Sequence, residues 1–236
     1  MTTIANDPAH PGTAPAGNAK ALMLTLPEIQ AQAIKAARGA GRSWGMAEEA
    51  GYAAVWLAAS GIDGAMLLTR HLEATDGVDW AAIAPRATPE GPIRHAAGPA
   101  MCPLAAGAYL SDSAGTGAEG REIENLAFPV LILPFLGLLS GATGREQILT
   151  WAGGTVAVCA EGPVAPGAAR ALAAEAGPCT VRVRPGGPSP VAARRATGLA
   201  VLHADWLRFD ALARRTYVPA TATSRADAGA GGSDND

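Results

Sequence analysis

Apolar and polar positions alternate with two different periods along this chain, and the change falls near its middle. From Thr25 the apolar residues Leu26, Ile29, Ala33, Ala36 and Ala37 recur at helical spacing. Thr25-Leu26-Pro27-Glu28 has the form of a capping box. The threonine hydroxyl meets the Glu28 amide, the carboxylate returns to the Thr25 amide, and proline is tolerated in the first turn. Gly39 and Gly41 end that helix. A second helix fits Trp44 to Ser60 with Ser43 as its cap and Gly61 after it, and a third fits Gly64 to Ala74 behind Asp63.

After Thr75 the helical period is lost in proline, glycine and scattered charge as far as Pro99, which reads as a connector. Beyond it, Ala127–Leu133 reads as a buried strand. Ile148–Trp151 and Thr155–Cys159 read as two strands around Ala152-Gly153-Gly154. Ala168–Ala176 fits a short helix, and Cys179–Arg184 alternates strictly as a strand does. Gly198–Leu202 fits one more strand, and a last helix is expected from Asp205, as its N-cap, to Tyr217. The expected fold is α+β: an N-terminal three-helix unit followed by a small mixed β-sheet with two helices. The expected divisions are a flexible leader at 1–23, a helical unit at 24–75, a connector at 76–99, an α+β unit at 100–220 and a Gly/Asp-rich tail at 221–236.

Composition narrows the function classes. Of 236 residues, 49% are hydrophobic and 17% charged; alanine supplies 55 positions, with 29 glycines and 18 prolines. The net charge of −3 excludes a globally basic nucleic-acid binder and a highly charged disordered chain. The strongest apolar run, Leu126–Leu139, is interrupted by Pro129 and Pro134 and falls short of the about 20 residues that a spanning helix needs. Residues 1–20 lack the pattern of a signal peptide. Cys102, Cys159 and Cys179 are odd in number and far apart, which argues against a disulfide framework. These features together point to a cytoplasmic protein with no membrane and no nucleic-acid partner.

Leu24-Thr-Leu-Pro-Glu-Ile-Gln30 and Ala36-Ala-Arg-Gly-Ala-Gly-Arg-Ser-Trp-Gly-Met-Ala-Glu-Glu-Ala-Gly51, with Arg215-Thr-Tyr-Val-Pro-Ala-Thr221, Ser224-Arg225 and the closing Asp234-Asn-Asp236, resemble a bacterial family, the domain of unknown function 3726. The likeness is read over most of residues 22–236. It implies a bacterial origin and draws attention to those two regions, but it carries no activity, cofactor or catalytic residue.

Four groups of residues could carry chemistry. Arg38, Arg42 and the glycine turn before Trp44 could hold a carboxylate or phosphate at a helix N-terminus, with Glu48 or Glu49 as general base; a plain turn and cap would use the same residues. No strand precedes those glycines, so no dinucleotide or P-loop fingerprint is present. Charge is polarised: 9 basic and 15 acidic residues up to 163, then 9 arginines against 3 acids at 164–225, then 3 acids at 226–236. Within the basic block Arg182 and Arg184 share one strand face, which suits either an anionic small molecule or a solvated, ion-paired surface. Asp234 and Asp236 could ligate a hard cation, or lie in a simple tail. Cys102 could act as a nucleophile with His95 or His203 as base and Asp112 nearby, although a free cysteine is more often a small buried hydrophobe. His71 reads as an exposed residue in the last turn of the third helix. Trp44, Tyr52, Trp56, Trp206, Phe209 and Tyr217 read as core. No cofactor is identified.

Two functions of different class follow from the sequence: a non-catalytic or accessory subunit in small-molecule metabolism, assembling with a protein partner or with itself, and an enzyme acting on a carboxylate- or phosphate-bearing small molecule.

Overall fold

A computed structural model of the chain describes residues 20–86, 98–112, 120–175, 177–190 and 195–217. The fold is α+β, with helices preceding the main sheet. Strand β1 (Ala21–Thr25) leads into α1 (Leu26–Gly39), α2 (Trp44–Ala59) and α3 (Gly64–Ala74), followed by the single turn α4 (Trp80–Ile83) and by α5 (Pro103–Asp112). Then come β2 (Arg121–Leu126), a 3-10 turn at Pro129–Ile132, α6 (Leu133–Thr143), β3 (Arg145–Trp151), β4 (Gly154–Cys159) and β5 (Gly162–Pro163). The chain continues through α7 (Pro166–Ala173), β6 (Cys179–Pro188), β7 (Gly198–Leu202) and α8 (His203–Arg214). Five strands form an antiparallel sheet in the order β2-β6-β3-β4-β5; β1 and β7 form a separate antiparallel ribbon.

The caps expected from sequence hold the first three helices. Thr25 N–H donates to Glu28 Oε2 at 2.8 Å, and the Glu28 amide donates to Thr25 Oγ1 at 3.4 Å. Ser43 accepts from the Met46 amide and Asp63 from the Met66 amide. Thr25→Ala removes the hydroxyl arm of the box and leaves the backbone arm; it is expected to cost about 1 kcal/mol, read as a lower urea midpoint at unchanged slope.

Helix α2 is the centre of the helical layer. Its alanines 47, 50, 53, 54 and 58 are fully buried and its neighbours are α1, α3, α5 and α6. Small side chains all round the helix allow four helices to approach it closely. Trp56 supplies the bulk that alanine lacks, and its indole N–H donates to the Ala160 carbonyl at 3.1 Å. The apolar core runs without a break from the N-terminal helices through α5 and α6 to β3, β4, β6 and α8.

Several elements differ from the sequence reading. Ala127–Leu133 is not a strand: Phe128 is left-handed, Pro129 opens the 3-10 turn and Pro134 sits in the first turn of α6. Proline fits the start of a helix, where its missing N–H is not needed, and cannot donate within a ladder. A run buried on every side looks the same by periodicity whether helix or strand. Residues 21–23, expected in the leader, pair with β7 together with Leu24 and Thr25, and the expected connector holds α4. The short alanine helix starts two residues early, at Pro166, and stops at Ala173. Helix α8 begins at His203 with Leu202 in the cap position, so Asp205 lies within the first turn, where its charge complements the helix dipole. Trp44 and Tyr217 are exposed rather than core.

Candidate functional site

The α1–α2 turn and the α3–α4 turn face one another across a cleft of about 630 Å³, lined by residues 39–43, Met46, 76–78 and Trp80. The glycine turn does not aim its amides at a ligand. Those of Ala40, Gly41 and Arg42 bond back to the carbonyls of Ala36, Arg38 and Ala37. Gly41, at φ +81°, takes the left-handed conformation that such a reversal needs.

The side chain of Arg42 is the exceptional feature. It is 5% exposed, and its Nη2 donates to the carbonyl of Thr75 at 3.3 Å and to Thr75 Oγ1. The guanidinium lies 5.7 Å from the centre of the Trp80 ring. Among the described residues its Nε has no hydrogen-bond partner and no carboxylate pairs with it. Asp76, on the same cleft, is engaged by Arg215 at 2.8 Å.

The other predicted residues are dispersed. Arg38 stacks 4.7 Å over Trp44 and donates to the Arg42 carbonyl, bracing the turn without lining the cleft. Glu48 is exposed. Glu49 is half-buried, and burial, with Asp112 and Glu48 close by, pushes its carboxyl up; neither glutamate lines the cleft. Arg182 and Arg184 stand exposed on β6, with Val181 and Val183 buried between them. Arg182 donates to its cross-strand partner Glu122 at 2.6 Å. Asp234 and Asp236 lie outside the described residues, as does His95. Among the described residues no three His, Cys, Asp or Glu side chains are grouped to hold a metal.

A second cleft, of about 270 Å³, lies on the other side of Thr75. His71 lines it, together with Thr75, Phe128 and Glu175. His71, expected to be exposed, is fully buried, because Leu67, Leu68 and Leu72 carry the apolar face of α3 inward with it. Its Nε2 lies 3.4 Å from Cys102 Sγ, and its Nδ1 has no partner among the described residues. Burial, aided by the Arg42 charge, pushes the imidazole down to about 3, so the ring is neutral. Cys102 precedes the first turn of α5. Amides of Ala105 and Leu104 bond to its sulfur, yet burial dominates and pushes the thiol up. The histidine beside Cys102 is therefore His71 and not His203, which is the first residue of α8. The helical spacing of His71 with Leu67, Leu68 and Leu72 is the signal that sequence reading passed over.

Phe128 packs edge-on against His71, with ring centres 5.8 Å apart, and takes φ 41°. Asn125, three residues earlier, takes φ 53°. Phe128 thus forms the wall of this cleft in a conformation that bulky side chains avoid.

The first cleft, and the part of the second that holds His71, fall on one stretch of familiar sequence. Residues 24–102 match the family described as "Protein of unknown function (DUF3726)". The chain resembles that family from α1 to Cys102, a span that holds all of the first cleft and the His71–Cys102 pair. The C-terminal motifs around Arg215 and Asp234 lie outside the matched residues. No curated protein and no solved structure matches the chain. No helix among the described residues is long and apolar enough to cross a membrane.

Proposed function

We propose that the protein is a non-catalytic subunit of bacterial small-molecule metabolism that holds the carboxylate or phosphate of a ligand against Arg42. The observation that carries this reading is a buried guanidinium on a cleft wall with no counter-ion among the described residues. Leaving an uncompensated charge in a protein interior costs several kcal/mol, and an anion from solution would offset that cost. Trp80 and Met46 offer an apolar surface for the rest of the molecule. The enzymatic alternative lacks a base at this point: Glu48 and Glu49 lie elsewhere, and Asp76 is held by Arg215. Three free thiols among the described residues suit a reducing cytoplasm.

Thermal melting with inorganic phosphate and with succinate tests the assignment. The wild type should gain stability saturably, by about 2.7 kcal/mol at a hundredfold excess over Kd. Arg42→Met should lose that gain while its ligand-free stability stays level or rises, because an apolar chain of similar length removes a buried unpaired charge. A large loss of ligand-free stability with no anion response in either protein would make Arg42 a structural brace for Thr75.

Assembly is the second reading, favoured by the outer face of the β1–β7 ribbon. Met23 is 75% exposed and Leu202 49% exposed, and the register places both on that face, beside Ala21 and Ala200. Mass measurement in solution decides it: a strict monomer that captures no partner removes this reading and leaves the cleft untouched.

A further inference from the structure

The second cleft shares no ligand group with the first and makes its own chemical demand. Sulfur in Cys102 accepts from the amides of Ala105 and Leu104, so its hydrogen is directed elsewhere, and His71 Nε2 at 3.4 Å is the acceptor within reach. A neutral imidazole that accepts at Nε2 carries its own hydrogen on Nδ1. That Nδ1–H is buried and has no partner among the described residues, which costs about 1–3 kcal/mol. A residue of this kind on a cleft wall is a donor waiting for an oxygen.

The remaining walls select the molecule that brings it. Ala74, Pro99, Ala100, Ala127, Phe128 and Pro178 make the cleft mostly apolar. Glu175, held by the Trp151 indole at 2.6 Å, adds a carboxyl that disfavours an anion. At about 270 Å³ the space equals roughly nine water volumes, enough for a single-ring compound. Cys102 is wholly enclosed and does not line the cleft, so its thiol is positioned to fix the histidine tautomer and not to attack a ligand.

We propose that this cleft binds a small, neutral, mostly apolar carbonyl compound, whose oxygen accepts the Nδ1 hydrogen of His71. The inference does not rest on the Arg42 reading, since its occupant is uncharged and its donor is a different residue.

Titration of the whole protein with the lactam 2-piperidone and with cyclohexanone tests it, followed by nitrogen-15 NMR of the His71 ring. The expected result is a ring protonated on Nδ1, whose resonance shifts saturably with either probe. Ala100→Phe puts a ring into the cleft while leaving His71 and Cys102 themselves unchanged, and should weaken both probes at least tenfold while the His71 signal persists as a sign of intact folding. A ring protonated on Nε2 would overturn the proposal. So would a Nδ1 resonance that neither probe moves up to its solubility limit, which would mean that water alone satisfies the donor. Equal affinity in folded Ala100→Phe would place the probes elsewhere and overturn it as well.

Discussion

Acidification from pH 6.5 toward pH 3 should remove stability at about 1.4 kcal/mol per pH unit through His71 alone. Unfolded, this imidazole takes up a proton near 6.5; folded, it resists until about 3, chiefly because it is buried and secondly because Arg42 is near. Between those values the unfolded chain binds more protons, so falling pH favours unfolding. The contribution is complete above pH 6.5 and is lost progressively below it, to a total on the order of 5 kcal/mol, a large part of the 5–15 kcal/mol that holds an ordinary domain together. Asp63 and Glu49, whose carboxyls are pushed up by burial, act in the opposite direction at lower pH. The range from pH 6.5 to 5 is therefore the cleanest. Urea denaturation across it should give a steep slope for the wild type and a much flatter one for His71→Gln. Parallel slopes would mean that His71 is hydrated in the folded protein.

Gly39→Ala is expected to cost at least 1–3 kcal/mol, the usual penalty for overpacking, and more because neither side can yield. A methyl group at Gly39 would overlap the Leu212 carbonyl oxygen and stand 2.9 Å from the carbonyl carbon, so it would meet the backbone of α8 and not a side-chain end that can swing away. Gly45, in the exposed first turn of α2, has nothing within 4 Å of the same methyl. Gly45→Ala should therefore gain about 0.5–1 kcal/mol from reduced chain freedom. Opposite signs for two Gly→Ala changes six residues apart, read as melting temperatures, would establish the close approach of α1 to α8. A Gly39→Ala protein as stable as the wild type would refute it.

Local signals in the sequence were read correctly where the chemistry is local. Thr25, Ser43 and Asp63 cap the helices they precede, and the alternation of Val181 and Val183 with Arg182 and Arg184 places the arginines outward. Signals that depend on distant partners were not legible. Leu22 and Leu24 cannot announce a strand until Val201 and Leu199 are known to lie opposite. Arg42 and Arg38 look equivalent four residues apart, yet Thr75 takes one into the interior and Trp44 keeps the other at the surface. The sequence points Cys102 to His95 or His203, whereas the fold supplies His71, 31 residues upstream.

The β1–β7 ribbon also sets the order in which the protein can be completed. Ala21 pairs with Leu202, so among the described strands the first made waits for the last. At 5–20 residues per second, a ribosome takes on the order of 10–40 s to span that interval. Throughout it the inner face of β1 has no partner, and α1 lacks α8 along the side where Gly39 meets Leu212. Contacts so distant in sequence also slow closure after release. The nascent helices must therefore be kept from other chains during synthesis, and the fold closes only once residues 198–214 have left the ribosome.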